Sequence, residues 1–154
     1  MNNNKTLYIP TEIEKENMIE HIKYEINMFS LCYLTLNIFR EKGLFRNVFI
    51  ESFLIHARNL YIFFYSDDYR DDDDIIARDY VIDFKKYIKE RTDQNKFKDI
   101  KIKWNKLLTH LSCSRLKYID ENKDWYISIL FQLIDTTKIA FLNSISKNQK
   151  EWFR

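Results

Sequence analysis

Apolar residues recur near the start of the chain at alternating steps of three and four, as Ile19, Ile22, Ile26, Phe29, Tyr33 and Leu36. This spacing places them on one face of an α-helix of about thirty residues. The helix should begin at Thr11, because the segment TEIE lets the threonine hydroxyl accept a backbone N–H while Glu14 reaches back to the cap. Gly43 is predicted to supply the left-handed residue that ends it.

The segment from 44 to 65 is apolar around nearly its whole circumference, which predicts a second helix at the centre of the molecule. A third helix is predicted from Asp74 to about Arg91, with a bend near 78–79. Residues 92–96 should form a turn, and a fourth helix should follow over about 97–118.

A last long helix is predicted from Trp125 to about Lys147, because apolar residues recur there at heptad-like spacing, as Ile127, Leu130, Ile134, Thr137 and Phe141. The chain has 154 residues with one glycine and one proline, which favours long helices over a turn-rich β fold. We therefore predict a short flexible lead over 1–10 and a single domain over 11–154. That domain should be all-α, an up-and-down bundle of four long helices plus one or two short ones.

The charge, the cysteine content and the longest uncharged stretch bear on the protein's partners and location. The net charge of +2 does not by itself imply nucleic-acid binding, although lysines crowd the stretch from Lys85 to Lys106. That stretch is either a steering field or a solvated face. Two cysteines without a signal peptide indicate a reduced protein, and the longest uncharged stretch, 26–39, is shorter than the ~18 residues that span a bilayer. A soluble cytoplasmic protein without membrane contact is expected.

Polar residues interrupt the apolar second helix in two groups. Ser52, His56 and Asn59 fall on one line of the helix, and Asn47, Glu51 and Arg58 fall on another. If buried, these groups must be paired, and His56 would be a neutral core residue bonded to a backbone carbonyl. If they face a cleft or a dimer seam, Arg58 could bind a phosphate and His56 could move a proton.

The fourth predicted helix places Arg115 on the apolar line of Trp104, Leu108 and Leu111, with His110 and Lys103 at its edge. Such an arginine either extends past the helix end to reach solvent, pairs with a buried carboxylate, or points into a site. Glu51 or an aspartate of the acidic stretch is available as the carboxylate partner.

The acidic stretch SDDYRDDDD could hold a hard cation, but Asp73 or Asp74 could equally cap the next helix. A magnesium- or nucleotide-dependent enzyme using these aspartates is the weakest alternative. The chain has no phosphate-binding loop, dinucleotide motif or zinc-ligand spacing, so we expect neither a cofactor nor a metal.

The segments ESFLIHARNLYIFF and WNKLLTHLSCSR, in this order within a helical chain, resemble those of small bacterial helical proteins related to the HEPN superfamily, closest to its abortive-infection-associated branch. The resemblance implies a bundle of four to five helices that usually dimerises. Many such proteins are metal-independent ribonucleases of defence or toxin–antitoxin systems, and others are non-catalytic binding modules. Their active motif is Arg, four to six residues, then His.

This chain departs from that motif. Arg46 lies too far before His56, and the order is reversed in His110 followed by Arg115. No catalytic residue of the family therefore carries over by position.

Two hypotheses from different classes follow. In the first, the protein acts on RNA and is possibly a ribonuclease. His56 and His110 would then be its acid and base, Arg58 and Arg115 would hold the phosphate, and substrate contacts would come from Asn59, Glu51, Lys103 and Lys106. In the second, the protein is a non-catalytic homodimer or binds a protein partner such as an antitoxin. Its contact surface would then be an exposed aromatic patch of Tyr61, Phe64, Tyr65, Trp152 and Phe153.

Overall fold

The structure, a computed structural model, describes residues 8–39, 43–67, 74–101 and 126–153. These ranges are all-α and contain no strand, and their β-type pairing is limited to an isolated bridge between Val81 and Ile145. The helices are α1 (Glu12–Ile38), α2 (Leu44–Tyr65), α3 (Phe84–Glu90), α4 (Ile127–Ser144) and α5 (Lys147–Trp152), with short 3-10 helices at Ala77–Asp79 and Gln94–Phe97.

Helix α1 begins as its sequence predicts. The Thr11 hydroxyl accepts the Glu14 N–H at 3.3 Å, and the Glu14 carboxylate accepts the Thr11 N–H at 2.7 Å. The capping box is therefore confirmed.

The predicted role of Gly43 is wrong. Helix α1 ends at Ile38, and Gly43 instead stands immediately before α2 with an extended backbone, φ 168°. The end of α1 is closed differently, since Nη1 of Arg46 donates to the carbonyls of Leu36 and Phe39, each at 3.5 Å. A side chain thus satisfies carbonyls that a left-handed cap would otherwise cover.

Helix α2 is the most buried helix in the described part of the chain, as its all-round apolar pattern predicts. Phe53, Leu54 and Ala57 are completely buried, and Phe64 is nearly so. Helix α1 packs along α2, and α4 packs against both. The buried residues of α4 include Leu130, Ile134, Thr137 and Phe141, which are members of the predicted heptad-like series, together with Ala140 and Ser144.

The single third helix predicted from Asp74 to Arg91 is wrong. Residues 74–76 are irregular, a 3-10 helix follows, and α3 starts only at Phe84. Aspartate side chains interrupt the helix by bonding nearby backbone N–H groups: Asp79 accepts the Ile76 N–H at 2.9 Å, and Asp83 caps α3 by accepting the Lys86 N–H at 3.0 Å. The cap of α3 is therefore Asp83, whereas the expected cap was Asp73 or Asp74, and of these two Asp73 lies outside the described residues.

Two further boundaries differ from prediction. The segment expected to be a turn contains the 3-10 helix Gln94–Phe97, and the last long helix ends at Ser144 instead of about Lys147. Ser146 then caps α5, because its hydroxyl accepts the Gln149 N–H and the Gln149 side chain accepts the Ser146 N–H.

Residues 98–101 are helical, and the rest of the predicted fourth helix lies outside the described residues, so that helix stays a prediction. Of the described helices, none combines the length and the apolar character that crossing a membrane requires.

Candidate functional site

A cleft of about 190 Å³ opens between α1 and α2. Its apolar floor combines side chains of both helices with one from the segment before α3, and three polar side chains stand around it. The lining residues are Met18, His21, Ile22, Glu25, Asn59, Leu60, Phe63 and Ile75. An apolar hollow with a few polar groups has the composition of a small-ligand site, and its volume is below the roughly 300–1,000 Å³ of most such sites.

The α1 wall follows from the position of the apolar stripe. Ile22 belongs to that stripe and is buried against α2, while His21 and Glu25 flank it, one turn apart. Residues spaced by four lie on the same side of a helix with about 6 Å between their Cβ atoms. An imidazole and a carboxylate therefore face the same opening, with His21 exposed and Glu25 half-buried.

Glu25 is held by His56 of α2. Its Oε2 atom lies 2.7 Å from Nδ1 of His56, which is only 8% exposed. The ring of Tyr24 meets the imidazole edge-on at 5.7 Å. A neutral histidine in this contact carries its proton on Nδ1 and leaves Nε2 as its other polar atom. The carbonyl partner expected for His56 is thus replaced by a carboxylate from another helix.

The remaining polar residues of α2 do not form the buried network that their spacing allowed. Glu51, Arg58 and Asn59 are exposed, and of these Asn59 lines the cleft. Ser52 is half-buried and accepts a hydrogen bond from Sγ of Cys32 at 3.3 Å. Two polar contacts, Glu25–His56 and Cys32–Ser52, therefore join α1 to α2 along one side of the helix pair.

Four predicted site residues, Lys103, Lys106, His110 and Arg115, lie outside the described residues. The structure therefore gives no position for them relative to His56 and Arg58. The predicted meeting of the two imidazoles and two guanidinium groups stays a prediction.

The start of the acidic stretch has a structural partner. The Asp67 carboxylate accepts hydrogen bonds from both Nη1 and Nη2 of Arg91, with Nη1 at 2.6 Å. The same Nη1 also donates to the Phe64 carbonyl at 2.8 Å. The guanidinium lies over the rings of Tyr65 and Tyr87, at 4.6 and 5.4 Å. In the described ranges no group of His, Cys, Asp or Glu side chains could hold a metal ion.

The predicted exposed aromatic patch is wrong. Tyr61, Phe64 and Tyr65 are buried, and Trp152 and Phe153 pack half-buried against the core. The Tyr65 hydroxyl donates to the Thr92 carbonyl at 2.8 Å, and burial raises the pKa of Tyr65 to about 12. A helix that is apolar all round does not reveal which of its aromatic rings face outward.

The sequence reasoning missed His21 and Glu25. Their signal was present in their spacing, since a histidine and a glutamate four apart, beside an apolar stripe, face one side of the same helix.

The site can transfer protons between an imidazole and a carboxylate, offer an amide as donor and acceptor, and take a flat apolar group against its floor.

Comparisons of the chain with models of protein families, with curated proteins and with solved structures found no match.

Proposed function

We propose that this chain is a HEPN-like helical-bundle protein of a prokaryotic defence or toxin-type system, which acts on RNA in the cytoplasm and cleaves it without a metal. We place the reaction in the cleft between α1 and α2. The observation that carries the proposal is the convergence of Glu25, His21 and Asn59 around one apolar hollow. Those three side chains supply the proton transfer and the hydrogen bonding that cleavage of an RNA phosphodiester needs.

In the proposed reaction the ribose 2′-oxygen attacks the adjacent phosphorus and the bond from phosphorus to the 5′-oxygen breaks. The Glu25 carboxylate takes the proton of the 2′-hydroxyl, and the His21 imidazolium gives a proton to the departing 5′-oxygen. The products are a 2′,3′-cyclic phosphate and a 5′-hydroxyl. Their placement one turn apart on α1 lets the two groups reach either side of one phosphate.

Substrate binding falls to groups beside the cleft. Asn59 lines it, and the neighbouring Arg58 is exposed and able to give a phosphate two parallel N–H bonds. The floor residues Leu60 and Phe63 provide a surface for a base, in keeping with RNA recognition through unpaired, stacked bases. The predicted contributions of Lys103, Lys106, His110 and Arg115 stay part of the proposal.

His56 serves in this proposal as a positioning residue. Its bond to Oε2 fixes one carboxylate oxygen of Glu25 and leaves the other available to a substrate. Buried anchoring of this kind limits the orientations that a catalytic carboxylate can adopt.

The test is cleavage of single-stranded RNA by the purified chain in the presence of EDTA. Wild type should cleave RNA and leave the matching DNA intact, because DNA lacks the 2′-hydroxyl. Glu25→Gln and His21→Ala should each slow cleavage by about 100-fold or more, the scale of general acid–base catalysis.

Glu20→Gln is the matched control, since Glu20 is an exposed glutamate of α1 outside the cleft. It should cleave like wild type. A wild-type chain without activity, or a Glu25→Gln variant as active as wild type, contradicts the proposal.

One observation favours a second candidate, a non-catalytic partner-binding module. His56 is buried and already bonded, as a purely structural histidine would be. On that hypothesis His56→Ala lowers the free energy of unfolding by about 1–3 kcal/mol, the cost of an unsatisfied buried partner, and no RNA is cleaved. The RNA assay separates the two candidates, because the stability loss alone is common to both.

A further inference from the structure

Tyr24 is an exposed aromatic residue at the edge of the cleft. It is 55% exposed, and its ring meets the imidazole of His56 edge-on at 5.7 Å, which restricts its orientation. The same imidazole holds Glu25, which lines the cleft. An anchored aromatic ring that is open to solvent beside a site offers a surface to a flat ligand.

The order of side chains around α1 places Tyr24 on the far side of the proposed reacting groups. From Ile22 of the floor, at about 100° per residue, Glu25 and His21 follow at about 60° and 100° around the helix. Tyr24 comes next in the same direction, at about 160°. Exposure rises along this order, from a buried Ile22 through a half-buried Glu25 to an exposed Tyr24. The carboxylate and the imidazole therefore lie between the apolar floor and the Tyr24 ring.

We infer that Tyr24 stacks against an unpaired RNA base, that of the nucleotide on the 3′ side of the scissile bond. The inference rests on the proposed function, in which His21 gives a proton to the 5′-oxygen of that nucleotide. His21 and Tyr24 are spaced by three residues and so lie on the same side of α1. Glu25, which takes the proton of the 2′-hydroxyl, lies nearer the floor, so the preceding base falls to the floor.

The two base positions define the class of RNA that the site accepts. Neighbouring bases of a duplex are paired and stacked on each other, so they do not reach the floor and Tyr24 at the same time. Bases of single-stranded loops, bulges and ends can be splayed apart and stacked on aromatic side chains. The substrate is therefore RNA with two consecutive unpaired nucleotides at the cleavage site. Because every base has a π-face, the position on Tyr24 tolerates all four bases.

Other exposed aromatic residues in the described ranges lack this placement. Phe39, Phe45 and Tyr126 are also exposed, but none of them adjoins a cleft-lining residue in the sequence. Tyr24 directly precedes Glu25 and contacts the partner of that carboxylate. The other exposed rings therefore serve as comparison residues.

The first test measures by fluorescence anisotropy how tightly the full chain binds a short, uncleavable 2′-O-methyl RNA of mixed sequence. Tyr24→Ala and Tyr24→Leu should each raise the dissociation constant by roughly 5- to 100-fold, the scale of one base stacked on an aromatic ring. Tyr24→Phe should bind like wild type, because it keeps the ring and loses only the hydroxyl. Phe45→Ala is the matched control, since Phe45 is an exposed ring outside the cleft, and it should also bind like wild type.

The second test removes the base and leaves the protein unchanged. In a DNA strand with a single ribonucleotide, only that ribonucleotide carries a 2′-hydroxyl, so the scissile bond is known. An abasic site at the next nucleotide in the 3′ direction should slow cleavage by wild type by roughly 5- to 100-fold. An abasic site near the 3′ end of the strand should have no effect. In Tyr24→Ala the adjacent abasic site should cause no further loss, because the stacking ring is already absent.

The two tests separate this inference from the proposed function. Wild-type cleavage that is insensitive to the adjacent abasic site, or a Tyr24→Ala variant that binds as tightly as wild type, overturns the role of Tyr24 alone. A wild-type chain that neither binds nor cleaves these strands contradicts the proposed function, and the role of Tyr24 falls with it.

Discussion

The contact between Glu25 and His56 gives a stability prediction that follows directly from its geometry. It can be tested by a double-mutant cycle of Glu25→Ala, His56→Ala and the combined variant. Nδ1 and Oε2 lie 2.7 Å apart, and the two side chains are 10% and 25% exposed. A hydrogen bond to a charged group contributes about 1.5–3 kcal/mol, and partial exposure of the carboxylate moves the expectation towards the lower end.

We expect a coupling energy of about 1–2 kcal/mol between the two positions. His56→Ala should cost more than Glu25→Ala, because it also removes the ring that packs against Tyr24. The assay is urea unfolding of all four proteins, with the free energy taken from the midpoint at constant slope.

The matched control is the exposed pair of Glu20 and Lys23 on the same helix, with Nζ and Oε1 at 3.3 Å. Its coupling should stay below about 0.5 kcal/mol, as for other surface ion pairs. Equal coupling in the two cycles, or none in the first, would show that His56 does not hold Glu25 in place.

Three further predictions concern stability. Arg91→Lys should lower the free energy of unfolding by about 2–4 kcal/mol, because lysine cannot reproduce the bidentate bond to Asp67. The control is Arg58→Lys at an exposed position, which should change the free energy of unfolding by less than about 0.5 kcal/mol in the same urea assay. Burial raises the pKa of Tyr65 from 10.0 to about 12, so the unfolded chain releases this proton first. Stability should therefore be complete below pH 10 and fall as pH rises from 10 to about 12, with a smaller fall in Tyr65→Phe, which urea midpoints across that range would reveal. Gly43→Ser should raise the free energy of unfolding by about 0.5 kcal/mol, which thermal unfolding would detect as a higher midpoint. The backbone at Gly43 is extended and nothing lies within 4 Å of an added Cβ, whereas the same substitution at a left-handed glycine would lower stability.

Helices α1 and α2 could be predicted because their signals are local. The Thr11–Glu14 capping box and the stripe from Ile19 to Leu36 need no knowledge of the rest of the chain. The same holds for the central position of α2, whose apolar circumference leaves few polar positions to face solvent.

The helix boundaries predicted after residue 74 are wrong for a different physical reason. Aspartate side chains at Asp79 and Asp83 compete with helical hydrogen bonds for the backbone, and this competition outweighed the apolar periodicity. The break before α5 was readable in principle, because SKNQ at 146–149 has the spacing of a capping box.

The candidate site was only partly readable from the sequence. The placement of His56 on one line with Ser52 and Asn59 agrees with the structure, since all three lie on the side of α2 nearest α1 or its cleft. The partner of His56 was not readable, because the hydrogen bond joins two helices and periodicity within one helix does not report its contacts with another.

The most direct test of the central claim is an NMR titration of the isotopically labelled chain with a short 2′-O-methyl RNA, whose blocked 2′-oxygen prevents cleavage. The backbone amide shifts should be concentrated at residues 18–25, 58–63 and 75, around the cleft between α1 and α2. Shifts confined to the exposed lysines of α3 or to α4, or no shifts at all, would contradict it.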